Sequence, residues 1–181
     1  MKRVLAVGAV ILLAAELASG GGQLEVVKAP VGPEGFKQVT MEEVLVAWRI
    51  DGEAVRVRVS APTTGWVAVG FDPAAGMLDA NIIIGYVDDG EVRIEDHFGT
   101  GRIRHRPDSE LGGTVDVSEA SGTEQRGRTE LAFTMPLDSD DPYDRVLRPG
   151  TTHAFLFAYG HDGENNVESY RATRGGFQAE L

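Results

Sequence analysis

Alternation of apolar and polar residues is the dominant pattern along this chain. Residues 43–50 put Val44, Val46 and Trp48 on one face, and residues 54–61 put Val55, Val57 and Val59 opposite Arg56 and Arg58. Asp51-Gly52 between them is a two-residue hairpin signal, because so tight a turn needs positive φ. The chain is organised around residues 65–87, which predict two strands, 65–71 and 80–87, joined by a loop over 72–79 that carries Pro73, Gly76 and Met77. In the first strand Val67, Val69 and Phe71 share one face, and Trp66, Ala68 and Gly70 share the other. Ile82-Ile83-Ile84 is apolar on both faces, which predicts a central strand of a packed sheet.

Asp88-Asp89-Gly90 turns into a strand over 91–98, with Val92 and Ile94 opposite Arg93 and Glu95. A polar loop over 99–113, a weak strand over 114–119 and a turn over 121–127 follow. Residues 128–136 alternate again through Leu131, Phe133 and Met135. An acidic loop over 137–150 leads to a strand over 152–160 that is apolar on both faces. The last stretch, 161–181, is polar and irregular, with room for two short strands. About eight or nine short strands with glycine-rich turns and no helical period predict an all-β fold, an antiparallel sandwich or barrel. No polar linker divides it, so one domain is expected, with Trp48, Val69, Ile83, Phe133 and Leu156 in its core.

The N-terminus departs from this pattern. Lys2 and Arg3 precede an apolar run over 4–15, and Ala18-Ser19-Gly20 supplies small residues for cleavage. The run is short for a membrane span. Residues 1–20 are therefore expected to be a signal peptide, residues 21–38 a flexible lead-in, residues 39–176 the sandwich and residues 177–181 a tail. The protein is expected in the periplasm or outside the cell, with no membrane span in the mature chain; an uncleaved N-terminal anchor is the alternative. Among the 181 residues the formal charge is −11, which argues against nucleic acid, whose phosphates need a basic surface. No cysteine is present, which excludes disulfides, iron–sulfur clusters, thiolate zinc sites, covalently attached haem and cysteine nucleophiles.

Several groups carry candidate chemistry. Met77 is a soft thioether on a loop between two buried strands, and either fills a gap or ligates a metal or haem iron. Asp96, His97, His105 and Asp108 form either a divalent-metal group or a solvated loop with an Asp–His hydrogen bond. Asp138-Ser139-Asp140-Asp141 is similar to a calcium ligand set but lacks the glycine and closing glutamate of an EF-hand loop. Residues 162–166 are a weaker instance. No G-x-S-x-G elbow occurs, and neither Gly112-Gly113 nor Gly175-Gly176 precedes a helix pattern. Trp66, Tyr86 and Tyr159 are candidate platforms for stacking on a sugar ring.

Taken together, Trp48 through Gly52, the run from Ser60 to Phe71, Gly76-Met77, Ala80 through Tyr86, Asp96-His97-Phe98, Pro136-Leu137 and Ala158-Tyr159-Gly160 resemble the DOMON domain family over residues 39–176. The resemblance implies an immunoglobulin-like β-sandwich that binds haem or a sugar-like ligand outside the cytoplasm. Its haem-binding relatives are b-type cytochrome modules, with iron held between a methionine in the loop after the G-W strand and a histidine shortly before an Arg-Gly pair. Met77 matches the methionine. The pair here is Arg174-Gly175, and residues 169–173 before it hold no histidine. That departure leaves His161 or Tyr170 as the second ligand of haem b, with Trp66 and Tyr86 beside the cofactor, or else no haem. The expected function is a non-catalytic, one-electron transfer module serving an exported redox partner protein. The alternative is a non-redox module for a sugar or other small ligand.

Overall fold

In the computed structural model, which describes residues 23–181, the chain forms eleven strands and one four-residue helix. The strands are β1 (Lys37–Met41), β2 (Val44–Asp51), β3 (Ala54–Ala61), β4 (Val67–Phe71), β5 (Asn81–Asp88), β6 (Glu91–Gly101) and β7 (Arg104–Pro107), then, after α1 (Asp108–Leu111), β8 (Ser118–Gln125), β9 (Arg128–Pro136), β10 (Thr152–Gly160) and β11 (Arg171–Glu180). They build two antiparallel sheets, a five-stranded one ordered β1-β2-β3-β9-β8 and a six-stranded one ordered β11-β10-β4-β5-β6-β7.

The sheets face each other across one apolar layer. Val55, Val57 and Val59 of β3 and Leu131, Phe133 and Met135 of β9 meet Val67, Val69 and Phe71 of β4 and Ile83 of β5. Trp48 stacks on Phe155 at 4.5 Å between ring centroids, and Phe155 stacks on Phe177 at 5.0 Å. Period-two alternation sends one side chain in and the next out, so each of these strands contributes every second residue to the layer. Trp48, Val69, Ile83 and Phe133 lie there as the sequence predicts. Leu156 does not: its neighbours Phe155 and Phe157 point inward, which turns Leu156 to the outer face.

The strand inventory also differs at its margins. β1 begins inside the expected lead-in, and Phe36 just before it is buried. Further upstream, Val26 bridges Gln178. The expected tail is the second half of β11: Phe177, Ala179 and Leu181 are all buried, because their spacing of two puts them on the inner face. β7 forms within the expected loop over 99–113, and β8 runs through the expected turn over 121–127. The expected export segment, residues 1–20, lies outside the described residues. Among the described residues, no helix is long and apolar enough to cross a membrane.

Candidate ligand face and its histidine pair

The six-stranded sheet is apolar on its outer side as well. A second cluster there contains Trp66, Ala68, Ala80, Ile82, Ile84 and Val167, with Met77, Tyr86, Leu156 and Ala158 packed against it. The pattern that feeds the inner core also builds this face: Ile83 goes in while Ile82 and Ile84 go out, and Val67 and Val69 go in while Ala68 goes out. Small residues keep the face low at its middle. At Gly160 a Cβ would sit 2.5 Å from Trp66 Nε1, so the indole can lie against the strand only because this residue is glycine.

Residues 161–170, which form no strand, cover this face. They are stitched to the turn before β4: Trp66 N–H donates to the Glu164 carbonyl at 3.0 Å, and the Thr63 hydroxyl donates to the Gly160 carbonyl at 2.8 Å. Trp66 Nε1–H donates to Ser169 Oγ at 3.0 Å, and Val167 is buried against the sheet.

Met77 sits at the border of the same cluster, half-buried. Its loop is clamped to the β6–β7 hairpin. Met77 N–H donates to the Arg102 carbonyl at 3.1 Å, and a Cβ on Gly99 would lie 1.6 Å from the Met77 carbonyl oxygen. Only glycine admits that approach. The other end of the loop is fixed by Asp72, which accepts from His153 Nδ1 and, at 2.8 Å, from Ala154 N–H. Trp66 and Tyr86 both belong to the outer face; Tyr159 packs on the inner core, so the three aromatic residues form no common platform. His161 and Tyr170 stand in solvent, Tyr170 at 91% exposure.

Two histidines that the sequence reading grouped with Asp96 and Asp108 belong beside this face. His97 pairs with Ile82 in the β5–β6 ladder and points outward with it. Its Nδ1 lies 2.9 Å from Nδ1 of His105, and its Nε2 lies 3.0 Å from Glu95 Oε2. In the tautomer in which His97 Nε2–H donates to Glu95, its Nδ1 accepts and His105 donates. Burial, then the adjacent His97, then Arg171 push His105 down to about 4 from an ordinary 6.5. Asp96 faces the other way, since neighbours in a strand point to opposite sides. The expected four-residue group therefore splits into a histidine pair and a separate set of carboxylates. Of the acidic loop, Asp141 is taken up by local structure, accepting from Tyr143 N–H at 2.8 Å and Thr114 N–H at 2.6 Å.

An antiparallel sandwich with a methionine loop after a Gly-Trp strand, and a covered apolar outer face, defines a class of β-sandwich modules. The DOMON domain pattern matches residues 40–160, and the chain belongs to that family. Among curated proteins it is similar to mouse DBH-like monooxygenase protein 1, 26% identical over 91% of this chain and 25% of the mouse protein. Human DBH-like monooxygenase protein 1 is 25% identical over 72% of this chain and 21% of its own length. The chain thus spans about a quarter of these relatives. Among solved structures its fold is similar to the cytochrome b domain of pyranose dehydrogenase from Coprinopsis cinerea, with a TM-score of 0.58, 11% identity and coverage of 80% of this chain and 81% of that one. The cytochrome domain of Myriococcum thermophilum cellobiose dehydrogenase gives a TM-score of 0.53 at 12% identity, covering 84% and 87%.

Proposed function

We propose that this chain is an exported, non-catalytic binding module that takes a flat apolar ligand against the outer face of its six-stranded sheet, with haem b as that ligand. The observation that carries this reading is the second apolar cluster. A sandwich needs one core to fold. This one has another on the outside of a sheet, with a soft thioether at its border and only a strandless segment over it. Likeness of fold to two cytochrome domains supports the same reading.

The residues suit haem on one side. Trp66, Ala68, Ile82, Ile84 and Leu156 offer apolar surface, and Met77 is a neutral sulfur donor. His161 and Tyr170, where they stand, offer the opposite side nothing. When bound, haem supplies a one-electron couple, and an exported redox protein would be its partner. The chain's own part is to exclude water from the face and to hold Met77 through the Gly99 and Arg102 contacts.

The solvent positions of His161 and Tyr170 favour a second reading, a module for a small ligand or sugar with no redox role. Producing residues 21–181 with haem supplied and recording visible spectra separates the two. A Soret band that shifts on reduction supports haem. In that case Met77→Ala loses the low-spin reduced spectrum, because Asp72 and Asp79, the other donors of the loop, are hard anions. A colourless protein that takes up no added haemin rejects haem in favour of the second reading. His161→Ala with an unchanged spectrum would remove His161 as a ligand.

A further inference from the structure

On the inner side of β6, away from the proposed ligand face, three carboxylates converge. Asp96 comes from β6, Asp108 from the first turn after β7, and Asp144 from the loop between β9 and β10. One oxygen of each lies within 4.8 Å of the other two. Asp96 and Asp108 are 3% and 0% exposed. Both oxygens of Asp108 and one of Asp96 have no hydrogen-bond partner, and neither does the side-chain oxygen of Asn81, a residue that is itself 0% exposed. The Asn81 amide meanwhile donates to Asp144, which keeps Asn81 at the group. Uncompensated buried carboxylates are among the costliest features a fold can carry.

Two things can compensate them, protons or a cation. Shared protons would join the carboxyls by short O–H···O bonds, about 2.5–3.0 Å long. Asp108 bonds to nothing through either oxygen, so no donor of the fold already compensates it. The three oxygens, all within 4.8 Å of one another, are close enough to share one ion with bonds of about 2.3–2.6 Å. The available donors are all hard oxygens, with no sulfur or imidazole among them, which selects calcium or magnesium over zinc or copper. Asp144 also lines an open cleft together with Asp72, Arg145, Val146 and Arg148, so the group is reached from solvent at this residue alone among the three.

We propose that Asp96, Asp108 and Asp144, with the side-chain oxygen of Asn81, form a binding site for a hard divalent cation of the calcium type. The ion ties the β5–β6 ladder, the β7–α1 turn and the acidic loop into one unit. It neutralises the cluster where it would otherwise repel itself, and it fixes the loop that returns the chain to β10. The site is independent of whether haem binds.

The test uses the exported chain, residues 21–181, stripped with a chelator and titrated separately with calcium, magnesium and zinc at neutral pH by calorimetry and thermal unfolding. Saturable one-to-one binding of calcium or magnesium, with a rise in Tm of several degrees, is expected. Asp108→Asn and Asp144→Asn should each weaken binding at least about tenfold, as loss of a charged ligand does. Asp144 is half-buried in a loop, so its variant remains informative where Asp108→Asn folds poorly. Asp140→Asn, an exposed neighbour, should bind as the parent does. The absence of both binding heat and a Tm shift at millimolar calcium or magnesium would overturn the proposal. So would binding that survives both site variants, or binding confined to zinc, which would point to the histidine pair.

Discussion

His105 shows how placement overrides residue type. Free in water it would carry a proton below its ordinary 6.5, but here burial, His97 and Arg171 hold it neutral down to about 4. Unfolding restores the ordinary value. Between pH 4 and 6.5 the unfolded chain therefore binds a proton that the fold refuses, and this residue's contribution to stability is lost as pH falls through that window. His105→Asn keeps a polar side chain that does not titrate. The slope of unfolding free energy against pH between 4 and 6.5 should be shallower in the variant. The imidazole resonances of His105 should stay those of the neutral form until near pH 4. Titration of His105 at 6.5 would mean that the pair opens to solvent. The sequence grouped His105 with Asp96, as a metal group or a solvated loop, because it counts spacing along the chain. The sheet separates them, since His97 and Asp96 leave opposite sides of one strand.

At the level of elements, legibility followed burial. β3, β4, β5, β9 and β10 bury every second residue or both faces, and each was readable from its alternation. β8 was not. Its sequence SEASGTEQ is exposed at nearly every position, an edge strand held by the ladder to β9 rather than by apolar contacts. β11 hid for a different reason: Arg171 to Gly176 is polar and glycine-rich, and the inward alternation starts only at Phe177. That late half carries weight. Phe177 stacks on Phe155 at 5.0 Å and lies 6.1 Å from Trp48, with nothing of it exposed. Phe177→Ala should cost about 3–5 kcal/mol, the usual range for emptying such a site. Removing residues 177–181 should cost at least as much. The ion pair of Lys37 with Glu180 at 2.9 Å is exposed and adds little. Urea unfolding with an unchanged midpoint in the truncated chain would show these residues to be the dispensable tail that the sequence suggested.

For the molecule as a whole, the carboxylate cluster sets how stability responds to pH when no cation is present. Burial, followed by neighbouring carboxylates, raises Asp96 to about 8 and Asp108 to about 7 from 3.8. Burial likewise raises Asp144 to about 6. In the unfolded chain all three return to near 3.8, so above that value the fold holds protons that the unfolded chain has released. The stability tied to those protons is complete below 3.8 and is lost as pH rises through 6, 7 and 8. His105 acts in the opposite sense but only below 6.5, so from 6.5 to 8 it does not offset the carboxyls. Chelated protein should therefore lose Tm steadily across that window. General repulsion in a chain of formal charge −11 has the same sign, so the assignment needs a variant. Asp96→Asn removes the group with the highest value and should flatten the upper half of the slope. Calcium should flatten all of it, because an ion that binds the charged form replaces the protons. A chelated parent protein whose Tm is level from 6.5 to 8, with calcium making no difference, would show that the three carboxylates are charged and solvated, and that the fold needs neither proton nor ion at this corner.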